Sequence, residues 1–225
     1  IYPNADIDYP DFSLKNVTKN KFKKVKFGNN VLLGKNVTIG TNSYIGSNTI
    51  IEHDVKIGEN CVIGSNVILK NTIIEKNVVI QDNCKIGQKG FGFIPVKNKN
   101  LKFPHIGKVI VEDNVEIASG CTIDRGSVDD TVIGKNTYLD NQIHIAHNNK
   151  IGNNCVIAGQ VGFAGSSSIG DNVMIGGQAG VSGHLKIGNN VHVGGGSGVI
   201  SDISDNSRVM GYPAKNIRNF IKENR

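Results

Sequence analysis

The sequence of 225 residues predicts an all-β fold, a parallel β-helix of hexapeptide repeats with a loop insertion and a short C-terminal helix. An aliphatic or aromatic residue returns every six positions over most of the chain, and glycine usually follows it, as in Ile39-Gly40 and Ile151-Gly152. A period of six fits neither a helix nor a hairpin, but it fits a short strand followed by a tight turn. Three such hexads close one coil, and coils stack about 4.8 Å apart with the large residue inward.

Three segments follow from the repeat. Residues 1–26, with Tyr2, Tyr9 and Phe12, precede it and are expected to be a linker or a packing segment. Residues 27–213 are expected to form the β-helix. Residues 214–225 place Ile217, Phe220 and Ile221 on one helical face beside basic residues, which predicts a short basic helix.

The turns between hexads carry asparagine or glycine, the residues that most readily adopt a left-handed backbone conformation. We expect this conformation at the asparagines that recur in the turn position: Asn36, Asn42, Asn48, Asn60, Asn154, Asn172 and Asn190.

Composition limits the class of protein. The chain has 38% hydrophobic residues, a net charge of +6 and no apolar run long enough to span a membrane, and no secretory leader opens it. We therefore expect one soluble domain, with a mild preference for an acidic partner and no nucleic acid. Four cysteines, Cys61, Cys84, Cys121 and Cys155, occupy a small inward slot of the repeat, which predicts buried free thiols in a reducing compartment, the cytoplasm.

The repeat is interrupted after Leu69, Ile86, Ile123 and Val199. Counted in coils of 18 residues, all four positions belong to the same face of the prism as Ile145. A simple rod has no reason to collect its irregularities on one edge, whereas an active site built beside a rigid scaffold does. The sequence therefore predicts a functional corner at the end of this face.

His147 lies at that corner, Gly165 follows 18 residues later, and His184 follows two coils and one residue later. A histidine can accept a proton from an attacking amine or hydroxyl, and a glycine N–H can hold the oxyanion of a tetrahedral intermediate. These residues predict acyl transfer. The other histidines, His53, His105 and His192, are expected to be solvated corner residues.

Several longer motifs go beyond the hexads: Gly90-Phe91-Gly92-Phe93, Asp124-Arg125-Gly126, Asp140-Asn141-Gln142 with Ala146-His147-Asn148, and Gly176-Gly177-Gln178 with Ser182-Gly183-His184. With them, residues 27–214 resemble the UDP-3-O-(3-hydroxyacyl)glucosamine N-acyltransferases of lipid A biosynthesis. The resemblance implies a left-handed β-helix, a homotrimer, acyl carrier protein as donor, UDP-3-O-acylglucosamine as acceptor and no cofactor or metal.

The resemblance also implies roles for single residues. His147 matches the general base, Asp140 the acid that orients it, and Gly165 the oxyanion-hole N–H. His184 and Asn141 match substrate-site positions, and His144 stands where this family is expected to carry glutamine.

Asp140 and His147 are seven residues apart and so belong to adjacent corners of one prism. We therefore expect the pair to form between subunits of a trimer. The family also carries an N-terminal uridine-binding domain of about a hundred residues. Residues 1–26 are too few for it, so either the chain is part of a longer protein or uridine recognition is weakened.

Two further functions are expected at the C-terminal end. The basic helix is a candidate dock for the acidic acyl carrier protein. The small residues around Gly198 leave room for a long acyl chain in a groove that runs from His184.

Alternatives come from the same fold and from a different class. The sister UDP-N-acetylglucosamine O-acyltransferase and a coenzyme A-dependent sugar acetyltransferase are rival enzymes. A γ-type carbonic anhydrase would use His144, His147 and His184 as zinc ligands. A non-catalytic ice-binding rod would stack threonines on one face, and Thr38, Thr49, Thr72, Thr122 and Thr131 form no such column.

Overall fold

The structure, a computed structural model, describes residues 13–17 and 21–224. Tyr2, Tyr9 and Phe12 of the predicted packing segment lie outside the described residues. The elements of the described part are β1 (Lys15–Asn16), β2 (Lys26–Phe27), β3 (Leu32–Leu33), β4 (Thr38–Ile39), β5 (Tyr44–Ile45), β6 (Ile50–Ile51), β7 (Lys56–Ile57), β8 (Val62–Ile63), β9 (Ile68–Leu69), β10 (Thr72–Ile74), β11 (Val79–Ile80), β12 (Lys85–Gln88), β13 (Phe93–Val96), β14 (Lys99–Lys102), β15 (Val109–Val111), β16 (Glu116–Ile117), β17 (Thr122–Asp124), β18 (Thr131–Ile133), β19 (Tyr138–Leu139), β20 (His144–Ile145), β21 (Lys150–Ile151), β22 (Val156–Ile157), β23 (Gly162–Phe163), β24 (Ser168–Ile169), β25 (Met174–Ile175), β26 (Gly180–Val181), β27 (Lys186–Ile187), β28 (His192–Val193), β29 (Gly198–Val199), β30 (Arg208–Met210), β31 (Lys215–Asn216) and α1 (Ile217–Glu223).

The strands form three long sheets, the sides of a prism. Sheet 1 has the order β1-β3-β6-β9-β12-β17-β20-β23-β26-β29, sheet 2 runs from β4 to β27, and sheet 3 runs from β2 to β31. The chain passes from sheet 1 to sheet 2 at the first corner, and from sheet 3 back to sheet 1 at the third corner. The predicted fold class, a left-handed parallel β-helix with a loop insertion and a short C-terminal helix, is confirmed.

Equivalent hexad positions stack directly above one another. In sheet 1, Ile145 pairs in parallel with Phe163, which pairs with Val181, and Val181 pairs with Val199. These side chains point inward and are at most 3% exposed. Burial of each such side chain stabilises the fold by roughly 1.5–3 kcal/mol, so the columns supply the core.

The four cysteines are buried and unpaired, as predicted. Cys61, Cys84, Cys121 and Cys155 are 0% exposed within the core. Burial raises the pKa of Cys61 and of Cys155, which keeps these thiols protonated. They are packing residues.

The predicted left-handed turn residues are also confirmed. Asn36, Asn60 and Asn172 have φ values of 57°, 57° and 56°, and the other predicted asparagines lie between 55° and 62°. Their side-chain amides bond from coil to coil, for example Asn172 Nδ2 to Asn190 Oδ1 at 3.2 Å. Each turn is thus tied to its neighbour at a spacing that fixes the register.

All four interruptions lie at the end of sheet 1 strands, as the coil count predicts: β9, β12, β17 and β29. The insertion after β12 contains an antiparallel hairpin of β13 and β14. Two pairings lie outside the repeat pattern: β1 runs antiparallel to β3, and β31 runs antiparallel to β30 before α1 begins. No helix within the described residues is long and apolar enough to cross a bilayer.

Candidate active site

A cavity of about 530 Å³ lies on sheet 1 beside the first corner. Its wall includes His144, His147 and Gly165, and its floor carries Gly162 and Gly180. His144, Gly162 and Gly180 pair in consecutive coils, so they form one outward-facing column. A methyl group added to either glycine would meet nothing within 4 Å. The column therefore leaves an open groove above the histidines.

His147 lies half-buried in this wall, with its ring held on several sides. Its Nδ1 is 2.9 Å from Oδ1 of Asn148. A Cβ placed on Gly90 would lie 2.7 Å from its Cβ and Cδ2. The small residue at position 90 thus lets the insertion after β12 close onto the ring.

Gly165 lies one coil beyond His147. The carbonyl of His147 accepts from the N–H of Ser166, which fixes the vertical order at this corner. A Cβ on Gly165 would be 2.7 Å from Cε1 and 2.8 Å from Nε2 of His147. Within the described part of the chain, the N–H of Gly165 makes no hydrogen bond. A backbone donor beside the imidazole is the arrangement that acyl transfer requires.

His105 is only 1% exposed, so the expectation that it is a solvated corner residue is wrong. The insertion returns it beneath His147, with ring centroids 5.0 Å apart in an edge-to-face contact. Its Nδ1 bonds the carbonyl of Phe103 at 2.9 Å, and burial lowers its pKa, which favours the neutral ring. Sequence spacing missed this residue because it lies in the insertion, outside the repeat.

Arg125, the central residue of the Asp-Arg-Gly motif, is buried and has a structural role. It is 4% exposed, and its Nε donates to the carbonyl of His105 at 2.8 Å. Its guanidinium also donates to the carbonyl of Gly87 at 3.0 Å. Arg125 therefore pins both ends of the insertion that covers His147.

Asp124 and His144 form a second polar pair next to the cavity. Nε2 of His144 lies 3.9 Å from Oδ2 of Asp124, and its Nδ1 bonds Oγ1 of Thr122 at 2.8 Å. Asp124 is 7% exposed, and burial raises its pKa to about 7. Partial burial lowers the pKa of His144. Burial therefore disfavours the charged form of each group.

Asp140 and Asn141 lie at the third corner, away from this cavity. Asp140 Oδ1 accepts from the backbone N–H of Asn141 at 2.7 Å and from its side-chain amide at 2.8 Å. Both residues line a different cavity, of about 430 Å³, together with Tyr138 and Val156. One chain therefore does not bring Asp140 or Asn141 to His147.

His184 lies at the first corner but outside the cavity wall. Its backbone N–H donates to the carbonyl of Gly165 at 3.0 Å, which places it one coil beyond that glycine. The residue is exposed and has a φ of 62°. The coil count thus predicts its corner, but His184 does not line the cavity.

Gly198 forms the far end of the groove floor, beneath Tyr212. A Cβ on Gly198 would be 2.1 Å from Cδ2 of the Tyr212 ring, and Tyr212 is itself 85% exposed. Phe91, 84% exposed, lines the opposite side of the cavity. These two aromatic residues lie outside the repeat, so the period does not identify them.

The zinc alternative finds no geometric support. Among residues 13–17 and 21–224, no three histidine, cysteine, aspartate or glutamate side chains lie close enough together to hold a metal ion. His144 and His147 share the cavity, but His184 does not line it.

Comparisons with known proteins agree with the fold. The family model described as bacterial transferase hexapeptide (six repeats) matches residues 36–71, and the hexapeptide repeat of succinyl-transferase matches residues 167–201. Two solved structures share the fold. A UDP-N-acetylglucosamine acyltransferase from Campylobacter jejuni has a TM-score of 0.76 and 22% identity, covering 84% of this chain and 73% of that one. The O-acyltransferase from Moraxella catarrhalis has a TM-score of 0.57 and 28% identity, covering 90% and 74%.

Curated relatives are more similar over a shorter stretch. Over 67 residues the chain is 54% identical to a UDP-3-O-acylglucosamine N-acyltransferase of Rhizobium rhizogenes and 52% identical to that of Agrobacterium fabrum. The matched stretch is 30% of this chain and spans 19% of the length of each relative. The chain thus has the hexapeptide-repeat β-helix fold and is similar, over this stretch, to UDP-3-O-acylglucosamine N-acyltransferases.

Proposed function

We propose that the chain is the β-helix portion of an N-acyltransferase of lipid A biosynthesis. It would move a 3-hydroxyacyl chain from acyl carrier protein to the 2-amine of UDP-3-O-acylglucosamine. The observation that carries the proposal is the juxtaposition of His147 with Gly165 in the wall of an open groove. The 54% identity to enzymes of that name supports the choice of acceptor.

His147 would act as the general base. Its Nε2 takes a proton from the 2-amine as the amine nitrogen attacks the thioester carbonyl. The N–H of Gly165 donates to the oxyanion that forms on the carbonyl oxygen. When the tetrahedral intermediate collapses, the C–S bond breaks, and the proton on Nε2 passes to the departing thiolate. The products are an amide and a free thiol, and the reaction as written uses no cofactor.

The glycine column supports an extended apolar donor. Gly162, Gly180 and Gly198 stack along the groove, and the first two leave open space above the backbone. We infer that the acyl chain lies along this floor toward Tyr212. The chain end would then meet the Tyr212 ring, where Gly198 is already covered.

Apolar side chains on both sides of Glu116, in one column of sheet 3, support the homotrimer. Tyr44, Val62, Tyr138, Val156 and Met174 point outward and are between 41% and 51% exposed. Asp140 lies next to this column, in a cavity lined by Tyr138 and Val156. A second copy packed on sheet 3 would cover these side chains and bring its own first corner toward Asp140, which favours an Asp140–His147 pair between subunits.

The C-terminal helix supports an acidic carrier protein as donor. Within α1, Arg218 and Lys222 carry positive charge, while Lys215 pairs with Glu223. Such a dock weakens with salt because it depends on exposed charges. Four unpaired buried cysteines support the cytoplasm as the compartment.

A second candidate is O-acylation of UDP-N-acetylglucosamine, favoured by the structural likeness to the Moraxella enzyme over 90% of this chain. Presenting purified protein with 3-hydroxyacyl carrier protein and each acceptor in turn separates the two. We expect amide product from UDP-3-O-acylglucosamine and none from UDP-N-acetylglucosamine. Ester product from the second acceptor alone would replace the proposal with the O-acyltransferase.

A further inference from the structure

The hydrogen bonds around Asn148 determine the orientation of its amide. Oδ1 accepts from the N–H of Ser127 at 3.1 Å and from the Ser127 hydroxyl at 2.8 Å. Nδ2 donates to the carbonyl of Asp129 at 3.1 Å. If the amide were flipped, its N–H₂ would face the Ser127 N–H and its oxygen would face a carbonyl oxygen. Only one orientation satisfies all three contacts.

That orientation decides the tautomer of His147. Oδ1 of Asn148 can only accept, so Nδ1 of His147, 2.9 Å away, must carry the ring proton. Nε2 then holds the lone pair, next to the position of Gly165. This is the tautomer that a general base acting through Nε2 needs.

Ser127 is itself firmly placed. Its carbonyl accepts from the N–H groups of Ile106 and Gly107 at 2.8 and 3.1 Å. The neighbouring Asp129 pairs with Lys150 at 3.1 Å, and Lys150 also bonds the carbonyl of Asp130 at 2.7 Å. The insertion after β17 therefore presents Ser127 rigidly to the amide of Asn148.

We propose that Ser127 is a positioning residue for His147 and acts through Asn148. The two Ser127 donors hold the amide so that His147 keeps its Nδ1 proton and presents an unprotonated Nε2. This inference rests on the proposed function, in which His147 is the base. It extends that function by giving the insertion at residues 124–130 a defined task.

A tautomer measurement tests the proposal without depending on turnover. The chain has six histidines, so ¹⁵N-histidine labelling yields a simple long-range imidazole spectrum, and His147→Gln assigns the His147 signals. In the wild type we expect a pyrrole-type Nδ1 and a pyridine-type Nε2. Ser127→Ala removes the hydroxyl, the shorter of the two Ser127 contacts, and leaves the backbone N–H in place, so we expect the His147 shifts to move part of the way toward a mixture of tautomers. A Ser127→Ala spectrum identical to wild type would overturn the proposal.

Kinetics supply the second readout. Ser127→Ala should lower kcat by roughly tenfold with little change in KM, because substrate contacts remain while the base is misdirected. Ser127→Thr, which restores a hydroxyl, should recover most of the rate. Ser168→Ala is the matched control, since Ser168 is exposed on sheet 2. Equal kcat in Ser127→Ala, Ser168→Ala and wild type would contradict the proposal.

Substitutions at Asn148 test the proposal through the pH dependence of kcat/KM. Its φ of 62° favours glycine or aspartate over other residues. Asn148→Gly should lower kcat as Ser127→Ala does. Asn148→Asp should move the acid limb of kcat/KM to higher pH, because a carboxylate stabilises the imidazolium. If the acid limb of kcat/KM in Asn148→Asp stays at its wild-type pH, the side chain at position 148 does not act on His147.

The other ionisable groups around His147 are the same in both variants. His105 faces its ring from the insertion after β12, and His144 shares the cavity wall. Asp124 lies beside His144, and the Asp129–Lys150 ion pair lies behind Asn148. A shift seen in Asn148→Asp and absent from Asn148→Gly therefore reports the new carboxylate alone.

Discussion

A methyl group on Gly165 would lie 2.8 Å from Nε2 of His147, closer than a carbon and a nitrogen can approach without displacement. Position 165 must therefore be glycine if the His147 ring, one coil away, is to keep its place. Within the described residues, the N–H of Gly165 makes no hydrogen bond. This relationship places the proposed base beside the proposed oxyanion donor at one corner.

Gly165→Ala should therefore remove most of the activity. The added Cβ must push the His147 ring out of place, and a displaced base costs on the order of a hundredfold in kcat. Gly177→Ala is the matched control, since its Cβ would meet the carbonyl of Gly159 at 3.2 Å and the Cβ of Ala158 at 3.9 Å, at a different corner. Steady-state rates of the two folded variants check this, and equal rates would contradict the contact.

Asp124 should make stability depend on pH. Burial raises its pKa to about 7, whereas an unfolded aspartate titrates near 4. The folded state therefore binds more protons between these values, and stability falls as pH rises from about 4 through 7. The Asp124→Asn variant does not show this loss. The difference between its free energy of unfolding and that of the wild type should therefore grow by about 2–4 kcal/mol from pH 4.5 to pH 8. Urea unfolding at the two pH values measures it, and a constant difference would show that Asp124 is ionised in the fold.

Tyr212 and Gly198 should set the acyl length together. Gly198→Met must displace the Tyr212 ring and fill the end of the groove, which should shorten the preferred donor. Tyr212→Ala should lengthen it, because each further buried methylene is worth about 0.8 kcal/mol, roughly fourfold in kcat/KM. A series of acyl carrier protein donors measures both preferences. Preferences that match wild type in both variants would show that the acyl chain lies elsewhere.

Mixed trimers test whether Asp140 and His147 pair between subunits. Asp140→Ala and His147→Ala chains, each inactive alone, are unfolded and refolded together in equal amounts. If each site takes Asp140 from one chain and His147 from another, about a quarter of the sites regain both residues. Activity near that fraction is expected. No recovery in folded mixed trimers would contradict a pair formed between subunits.

The sequence predicts the scaffold well because one physical rule repeats along the chain. An inward aliphatic at every sixth position fixes the parallel register, and the left-handed asparagines fix the turns. The same count brings His147 and Gly165 to one corner and separates Asp140 from them. These features depend on position within the coil, which the sequence shows directly.

The remaining parts of the site depend on contacts that have no period. His105 returns through a 21-residue insertion, from 88 to 108, and nothing in its neighbours predicts that it packs beneath His147. Asn148 has the same left-handed backbone as the other turn asparagines, although the oxygen of its amide contacts Nδ1 of His147. Tyr212 covers Gly198 from beyond the last regular hexad. Tertiary packing alone identifies these roles.

Acyl transfer by wild type and His147→Gln, measured side by side, shows whether the chain is an acyltransferase that uses His147 as its base. The donor is 3-hydroxyacyl carrier protein, the acceptor is UDP-3-O-acylglucosamine at saturating concentration, and mass spectrometry detects the amide. We expect product from the wild type and a rate lower by about a hundredfold or more in His147→Gln, with unchanged circular dichroism. Equal rates in the two proteins would contradict it, because the groove would then carry out the reaction without the base at its first corner.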